Sequence, residues 1–362
     1  MTTVIAPFAT LLPVFAPAES LLDVSGSPVA SLLLKIAFIT VMFLVVPLVG
    51  GYLEHKGMAR LQDRRGPVEA GPAGSLQLVA DGIKFIQKED IIPRAADRKV
   101  FAMAPAVGLV ATLLSFAVIP LAPGLFTLDL ELGLFYVLAI SSVGVLGIMM
   151  AGWASANKFS LIGGLRAAAQ LIAYELPLIL VAVAVALQAG TLSLVGIVEA
   201  QQSSELFGTG ISMWYVFPQA LGFGIFFLAA LAELSRPPFD MPIGDSELVF
   251  GYITEYSGIK FAMFLLTEYA GMILMSGLTV VLFLGGWQPL PGLDLPDGAL
   301  GVLLGAGVTL GKIMLLVFVM IWVRVAYPRL REDQLQRISW TVLVPLSLVN
   351  LAVVAVGKVV AG

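Results

Sequence analysis

Five carboxylates, Glu233, Asp240, Asp245, Glu247 and Glu255, fall within one run of the 362-residue chain, Glu233–Lys260, which separates two long apolar stretches. In a chain this apolar, that run is where chemistry is to be sought. Pro237-Pro238, Pro242 and Gly244 deny its first half a continuous helix, since proline lacks the amide donor and clashes with the preceding turn. From Asp245 onward the pattern permits a helix again, with Asp245 or Ser246 placed to accept from the free amides of a first turn. The acids thus sit at an irregular junction. Such backbone is tolerated at membrane depth only where protein buries it or water lines it, so two readings stand: a polar cavity roofed by the loop, or a cytoplasmic loop with solvated charges.

Two further carboxylates, Glu175 and Glu268, lie inside otherwise apolar stretches. Each costs several kcal/mol facing hydrocarbon, so each should face a bundle interior, find a partner or be protonated. A relay member and a structural ion pair are the competing readings. Pro177 adds a clue, because its missing amide leaves the carbonyl of Ala173 without a helical donor beside Tyr174 and Glu175, a gap water can occupy. Arg166 lies some two turns before Glu175 and is placed either to balance the loop carboxylates or to anchor a membrane boundary. Lys312 can snorkel to the exterior face, and His55 marks a membrane boundary.

The elements that must position these groups follow from composition. The chain is 59% hydrophobic and 12% charged, against roughly 45–50% and 25% for soluble domains, and its mean hydropathy is +0.98. It reads as an all-α polytopic membrane protein. A span needs about 20 apolar residues, and eight windows qualify, at about 32–53, 101–121, 132–154, 167–188, 214–232, 261–284, 302–325 and 341–360. Of its 20 Lys and Arg, all but Lys35, Lys312 and Lys358 follow windows one, three, five and seven. Cytoplasmic loops hold such an excess, so 54–100, 155–166, 233–260 and 326–340 are expected cytoplasmic. Both termini are expected exterior. The opposite loops are acidic, with Glu19, Asp23, Asp129, Glu131, Glu199, Glu205, Asp294 and Asp297. Residues 1–31 form an exterior lead-in and 32–360 a single membrane domain.

The long first loop carries an amphipathic helix. Leu76, Val79, Ala80, Ile83 and Ile86 recur at helical spacing, with Gln77, Asp81, Lys84 and Lys88 on the other face. With no cysteine and one histidine, the chain offers no thiolates for an iron–sulfur or zinc site and no second imidazole for haem or copper. Electron chemistry therefore belongs to partners. The net charge of −4 gives no sign of nucleic acid as a partner.

Several stretches together resemble one family, the membrane subunit of respiratory complex I called the H subunit in bacteria, similar to mitochondrial NADH dehydrogenase subunit 1. The carriers are Glu54 with Arg64-Arg65-Gly66-Pro67, Ala80–Lys84 with Lys88-Glu89-Asp90, Gly152–Leu178, Leu231–Asp240, Ser246–Ala262 and Tyr327–Leu335, within residues of about 32 to 355. The resemblance implies a bacterial inner-membrane subunit that walls a chamber for a quinone substrate, at the junction with the peripheral arm. It implies no catalytic redox centre and no metal site here. FMN and iron–sulfur clusters would sit in partner subunits, and the other neighbours would be small membrane subunits, antiporter-like subunits and lipid. By position, Glu54, Arg64, Asp81 and Lys84 resemble chamber or entrance residues. Arg166, Glu175, Glu233, Asp240, Asp245, Glu247, Glu255 and Glu268 resemble an acidic path from the chamber toward the antiporter-like subunits. Three positions depart from the usual pattern: Ile243 stands where an acid is expected, His55 where Arg or Lys is, and Leu78 where Pro is.

The implied activity is proton-pumping NADH:quinone oxidoreduction. Relatives of this subunit also serve ferredoxin-, deazaflavin- and hydrogenase-linked complexes. A freestanding proton or ion transporter and a structural anchor are readings of other classes.

Overall fold

The computed structural model describes residues 20–24, 27–203, 213–293, 295–296 and 298–361, without the side chains of Asp245, Ser246 and Ala361. Most of the expected lead-in, together with Glu19, Glu205, Asp294 and Asp297, lies outside these residues. The regular structure of the described residues is all helical, with one isolated bridge between Ala122 and Leu125. In order they form α1 (Pro28–Leu61), α2 (Gln77–Gln87), α3 (Arg98–Phe116), α4 (Gly133–Ala154), α5 (Lys158–Ala189), α6 (Leu194–Ser203), α7 (Ala220–Glu233), α8 (Asp245–Leu248), α9 (Gly258–Phe283), α10 (Ala299–Ala326), α11 (Glu332–Ile338) and α12 (Val344–Ala361).

Local chemistry sets the helix ends. Ser27 accepts from Ala30 N ahead of Pro28 at the start of α1, Asp97 accepts from Lys99 N and Val100 N, and Asn157 from Phe159 N. Each side chain satisfies an amide that the first helical turn leaves free. α5 ends on Gly190 in the left-handed region, where glycine carries no steric penalty. α1 has 34 residues, about 51 Å at 1.5 Å per residue. That exceeds a hydrocarbon core of about 30 Å, so its last turns carry Glu54 out to one end of the bundle.

α5 and α9 form the centre. In their most apolar windows 61% and 67% of residues are buried, against 17% in α1 and in the last span. The peripheral helices instead present Leu33, Val41, Leu303, Val349 and Val353 outward, as lipid-facing helices do. α4 and α5 approach backbone to backbone: a Cβ on Gly152 would lie 2.8 Å from Ser160 O and 3.0 Å from Gly164 Cα.

The basic segments gather at one end. Asp97 N donates to Ala154 O, Ser257 Oγ to Glu89 O and Leu330 N to Pro238 O. At the other end Leu21 N donates to Gly124 O, Leu134 N to Leu192 O and Val216 N to Phe283 O. Lys312 donates there to the carbonyls of Leu284, Gly286 and Gln288, and its ammonium lies 4.2 Å from the Trp214 ring centre. Its snorkelling is therefore a cap on the frayed end of α9.

Four features differ in detail from the expected pattern. Seven described helices are long and apolar enough to span, and the window at 214–232 holds only the 14-residue α7, because residues 215–219 form turns before it. The segment 155–166 is mostly the first turns of α5, and residues 326–340 include α11. α6, on the acidic end, answers no predicted helix. Beyond Asp245 the chain makes one helical turn, reverses at Val249 (φ 64°) and Gly251 (φ 55°), makes a 3₁₀ turn over Gly251–Ile253 and resumes as α-helix only at Gly258.

Candidate functional site

The expected acids divide into three groups. The first is a buried charge cluster beneath the basic end. Glu54, 1% exposed, accepts from Arg236 Nη1 at 2.6 Å and from Arg324 Nη1. Arg236, 2% exposed, also has Nη2 3.0 Å from Glu268 Oε1 and its guanidinium 5.2 Å from the Tyr269 ring centre. The two acids and two arginines sum to zero charge. Burial opposes the charge on Arg236, but the carboxylates of Glu268 and Glu54 outweigh it and hold the guanidinium protonated more firmly than usual. Sequence alone counted Arg236 and Arg324 only as markers of the basic side.

Beside this cluster lies a cavity of about 120 Å³ between α3, α4, α9 and the end of α7. A single water needs roughly 10–15 Å³ by this measure, so several fit. Glu233 and Glu268 stand on its wall with Thr112, Ser115, Ser141 and Tyr252. Glu233 Oε2 is enclosed and has no hydrogen-bond partner among the described residues. Enclosed carboxylate oxygens need a partner, and the cavity has room for a water in that place. Glu175, on α5, has neither ion pair nor hydrogen bond among the described residues and lies within coulombic reach of Glu233. Burial, then the carboxylates of Glu268 and Asp240, push the Tyr252 phenol above its ordinary range, so it remains a hydrogen-bond donor. Ile243 also lines the cavity, an apolar wall where the resemblance expects an acid.

The second group lies at the rim of the basic end. Arg166 Nη1 is 2.6 Å from Glu247 Oε2 and its Nε 3.2 Å from Glu332 Oε2. Arg329 Nη2 is 2.8 Å from Asp240 Oδ2, and Asn157 donates to Glu255 Oε1 at 2.5 Å. Lys260 pairs with Asp90 at 2.7 Å. The acidic loop is thus neither freely solvated nor wholly enclosed: its acids are tied to the start of α5 and to the segment before α11, and Lys260 just beyond it pairs with the segment after α2. The side chain of Asp245 lies outside the described residues.

The loop is held by close backbone contact. A Cβ on Gly251 would fall 1.7 Å from Pro242 O, and one on Gly163 of α5 would fall 2.7 Å from Gly251 Cα. Stacking adds to this, with the Tyr256 and Phe101 ring centres 4.0 Å apart and nearly parallel. Tyr256 also donates to Phe101 O.

The third group stands apart from the cavity. Asp81 accepts from Gln77 and pairs with Lys84 at 3.3 Å, and Arg64 donates to Gln62. The apolar face of α2 is exposed at Leu76, Val79, Ile83 and Ile86. Leu78 reaches from α2 toward α1: a Cβ on Gly51 would meet its Cδ1 at 2.8 Å. No group of three or more His, Cys, Asp or Glu is arranged to hold a metal among the described residues.

A family model described as NADH dehydrogenase matches residues 34–355. The H subunit of the NADH-quinone oxidoreductase of Geobacillus kaustophilus is 44% identical over 306 residues, 84% of this chain and 87% of that protein. The corresponding subunit of Rhodospirillum centenum is 46% identical over 324 residues, 90% of this chain and 93% of that one. That of Geobacillus sp. strain WCH70 is 42% identical over 331 residues, 91% and 92%. With the apolar helices, the broken acidic segment and a match running through nearly all the spans, the chain belongs to the NADH dehydrogenase family of membrane subunits.

Proposed function

We propose that the chain is the H subunit of a proton-pumping NADH:quinone oxidoreductase in a bacterial inner membrane, and that it couples quinone reduction to proton movement. In this reading residues 32–360 are one membrane domain, the basic end is cytoplasmic and both termini are exterior. Glu54, Arg64, Asp81 and Lys84 border the quinone chamber, and the uncovered apolar face of α2 suits the isoprenoid tail. FMN and iron–sulfur clusters sit in the peripheral-arm partners. Small membrane subunits and antiporter-like subunits complete the membrane arm.

The observation that carries the reading is the succession Glu54, Arg236, Glu268, cavity, Glu233, in which a neutral ion-pair cluster opens onto space for water beside an unpartnered carboxylate. Quinone reduction takes up protons and so changes charge near the cluster. At an effective dielectric near 20, two unit charges about 4 Å apart interact by roughly 4 kcal/mol, enough to move a proton between neighbouring carboxylates. Glu268 answers first, because Arg236 ties it to Glu54. Water in the cavity links it to Glu233, and Glu175 follows by proximity. Arg166, Asp240, Asp245, Glu247 and Glu255 hold or extend the series at the rim.

The test is Glu268→Gln in the assembled complex. Quinone-linked turnover is expected to fall about tenfold or more, the rate equivalent of about 1.4 kcal/mol, while NADH oxidation by a water-soluble acceptor continues. Unchanged quinone-linked turnover in an assembled mutant contradicts the reading.

A further inference from the structure

The last span changes its winding midway. α11 passes into a π-turn over Ser339–Leu343 before α12 resumes at Val344. A π-turn is a costly irregularity that occurs mostly as a single turn at functional positions. Here it faces Pro177, inside the continuous helix α5. Pro177 has no amide to offer Ala173 O, and Ser339 Oγ donates to that carbonyl at 2.5 Å from a fully buried position. A second bond crosses in the other direction, from Tyr174 Oη to Leu335 O at 2.9 Å. The two helices are thus joined on the residues immediately before Glu175. The segment leading into α11 is tied to the acidic loop by Arg329 with Asp240 and Leu330 N with Pro238 O, and Glu332 at the start of α11 pairs with Arg166 of α5.

We propose that Ser339 is a positioning residue for Glu175. Its hydroxyl supplies the hydrogen bond that Pro177 removes, fixes the course of α5 at this turn, and so sets where α5 presents the Glu175 carboxylate. The proposal rests on the reading of Glu175 as a member of the coupling path. It adds that the last span, which contributes none of the path's acids, decides how that path is aligned.

The test is a double-mutant cycle in the assembled complex, with kcat and the quinone KM measured separately and a water-soluble acceptor reporting assembly. Ser339→Ala is expected to lower kcat about fivefold or more, the rate equivalent of about 1 kcal/mol, with KM unchanged. Pro177→Ala restores a backbone donor to Ala173 O, so adding Ser339→Ala in that background should change kcat by less than about twofold, the signature of a shared interaction. Equal losses from Ser339→Ala in both backgrounds overturn the proposal. If Ser339→Ala alone does not assemble, the double variant should, and equal failure of both also overturns it. Glu175→Gln separates the two ideas: impaired Glu175→Gln with normal Ser339→Ala sinks the proposal alone, whereas normal Glu175→Gln sinks the path reading and the proposal together.

Discussion

Arg236 joins carboxylates that stand 182 residues before it and 32 after it, and it does so almost out of contact with solvent. A buried ion pair contributes little net stability against an apolar replacement of the same shape, but removal of one partner strands a charge and costs about 3–5 kcal/mol. Arg236→Met is therefore expected to destabilise the subunit by that order, read as a loss of thermal midpoint or of assembled complex. Arg236→Lys keeps the charge but not the forked donors that reach Glu54 and Glu268 separately, so its loss should be smaller. Equal stability of Arg236→Met and the wild type would show that the cluster is not held as described. Glu233 differs in kind, because its enclosed oxygen has no side-chain partner to lose. Its replacement by Gln should leave stability nearly unchanged, a contrast that one melting series can measure.

At the scale of elements, the acidic loop is placed by glycine as much as by charge. Gly251 has a φ of 55° and no space for a Cβ beside Pro242 O. Gly251→Ala is expected to cost well over about 1 kcal/mol and to expose residues 240–257 to limited proteolysis; an unchanged cleavage pattern would count against the tight seat. The spans were legible in the sequence because hydropathy is a local property, and α2 because its two faces differ. The partner of Glu54 was not. Nothing local ties it to Arg236 or Arg324, and each of these looked like one more charge on the basic side. Pro177 announced an orphaned carbonyl correctly, but its partner is a hydroxyl 166 residues away rather than water. The helix expected from Asp245 stops after one turn because the loop must pass between α5 and Pro242, and packing there overrides a helical pattern of only a few residues. Window 214–232 looked like a full span because apolar turn residues and apolar helix have the same hydropathy.

The whole molecule is a bundle whose two ends differ in charge and in what they hold. The basic end gathers the acids and their cationic partners, and the other end is closed by Lys312 on the carbonyls that end α9. Because the chain has no cysteine, single cysteines report its orientation cleanly. Lys88 and Glu131 are both exposed and lie at opposite ends. Lys88→Cys should label with an impermeant reagent only from the cytoplasmic side and Glu131→Cys only from the exterior; the reverse pattern would invert the topology. The central claim concerns the cavity that connects the ion-pair cluster to Glu233. It is tested most directly by the rates of proton pumping and of quinone-linked electron transfer, measured together in proteoliposomes carrying the complex with Glu233→Gln. The account predicts that pumping and quinone-linked turnover both fall by about tenfold or more while electron transfer to a water-soluble acceptor persists. Wild-type rates of both would contradict it.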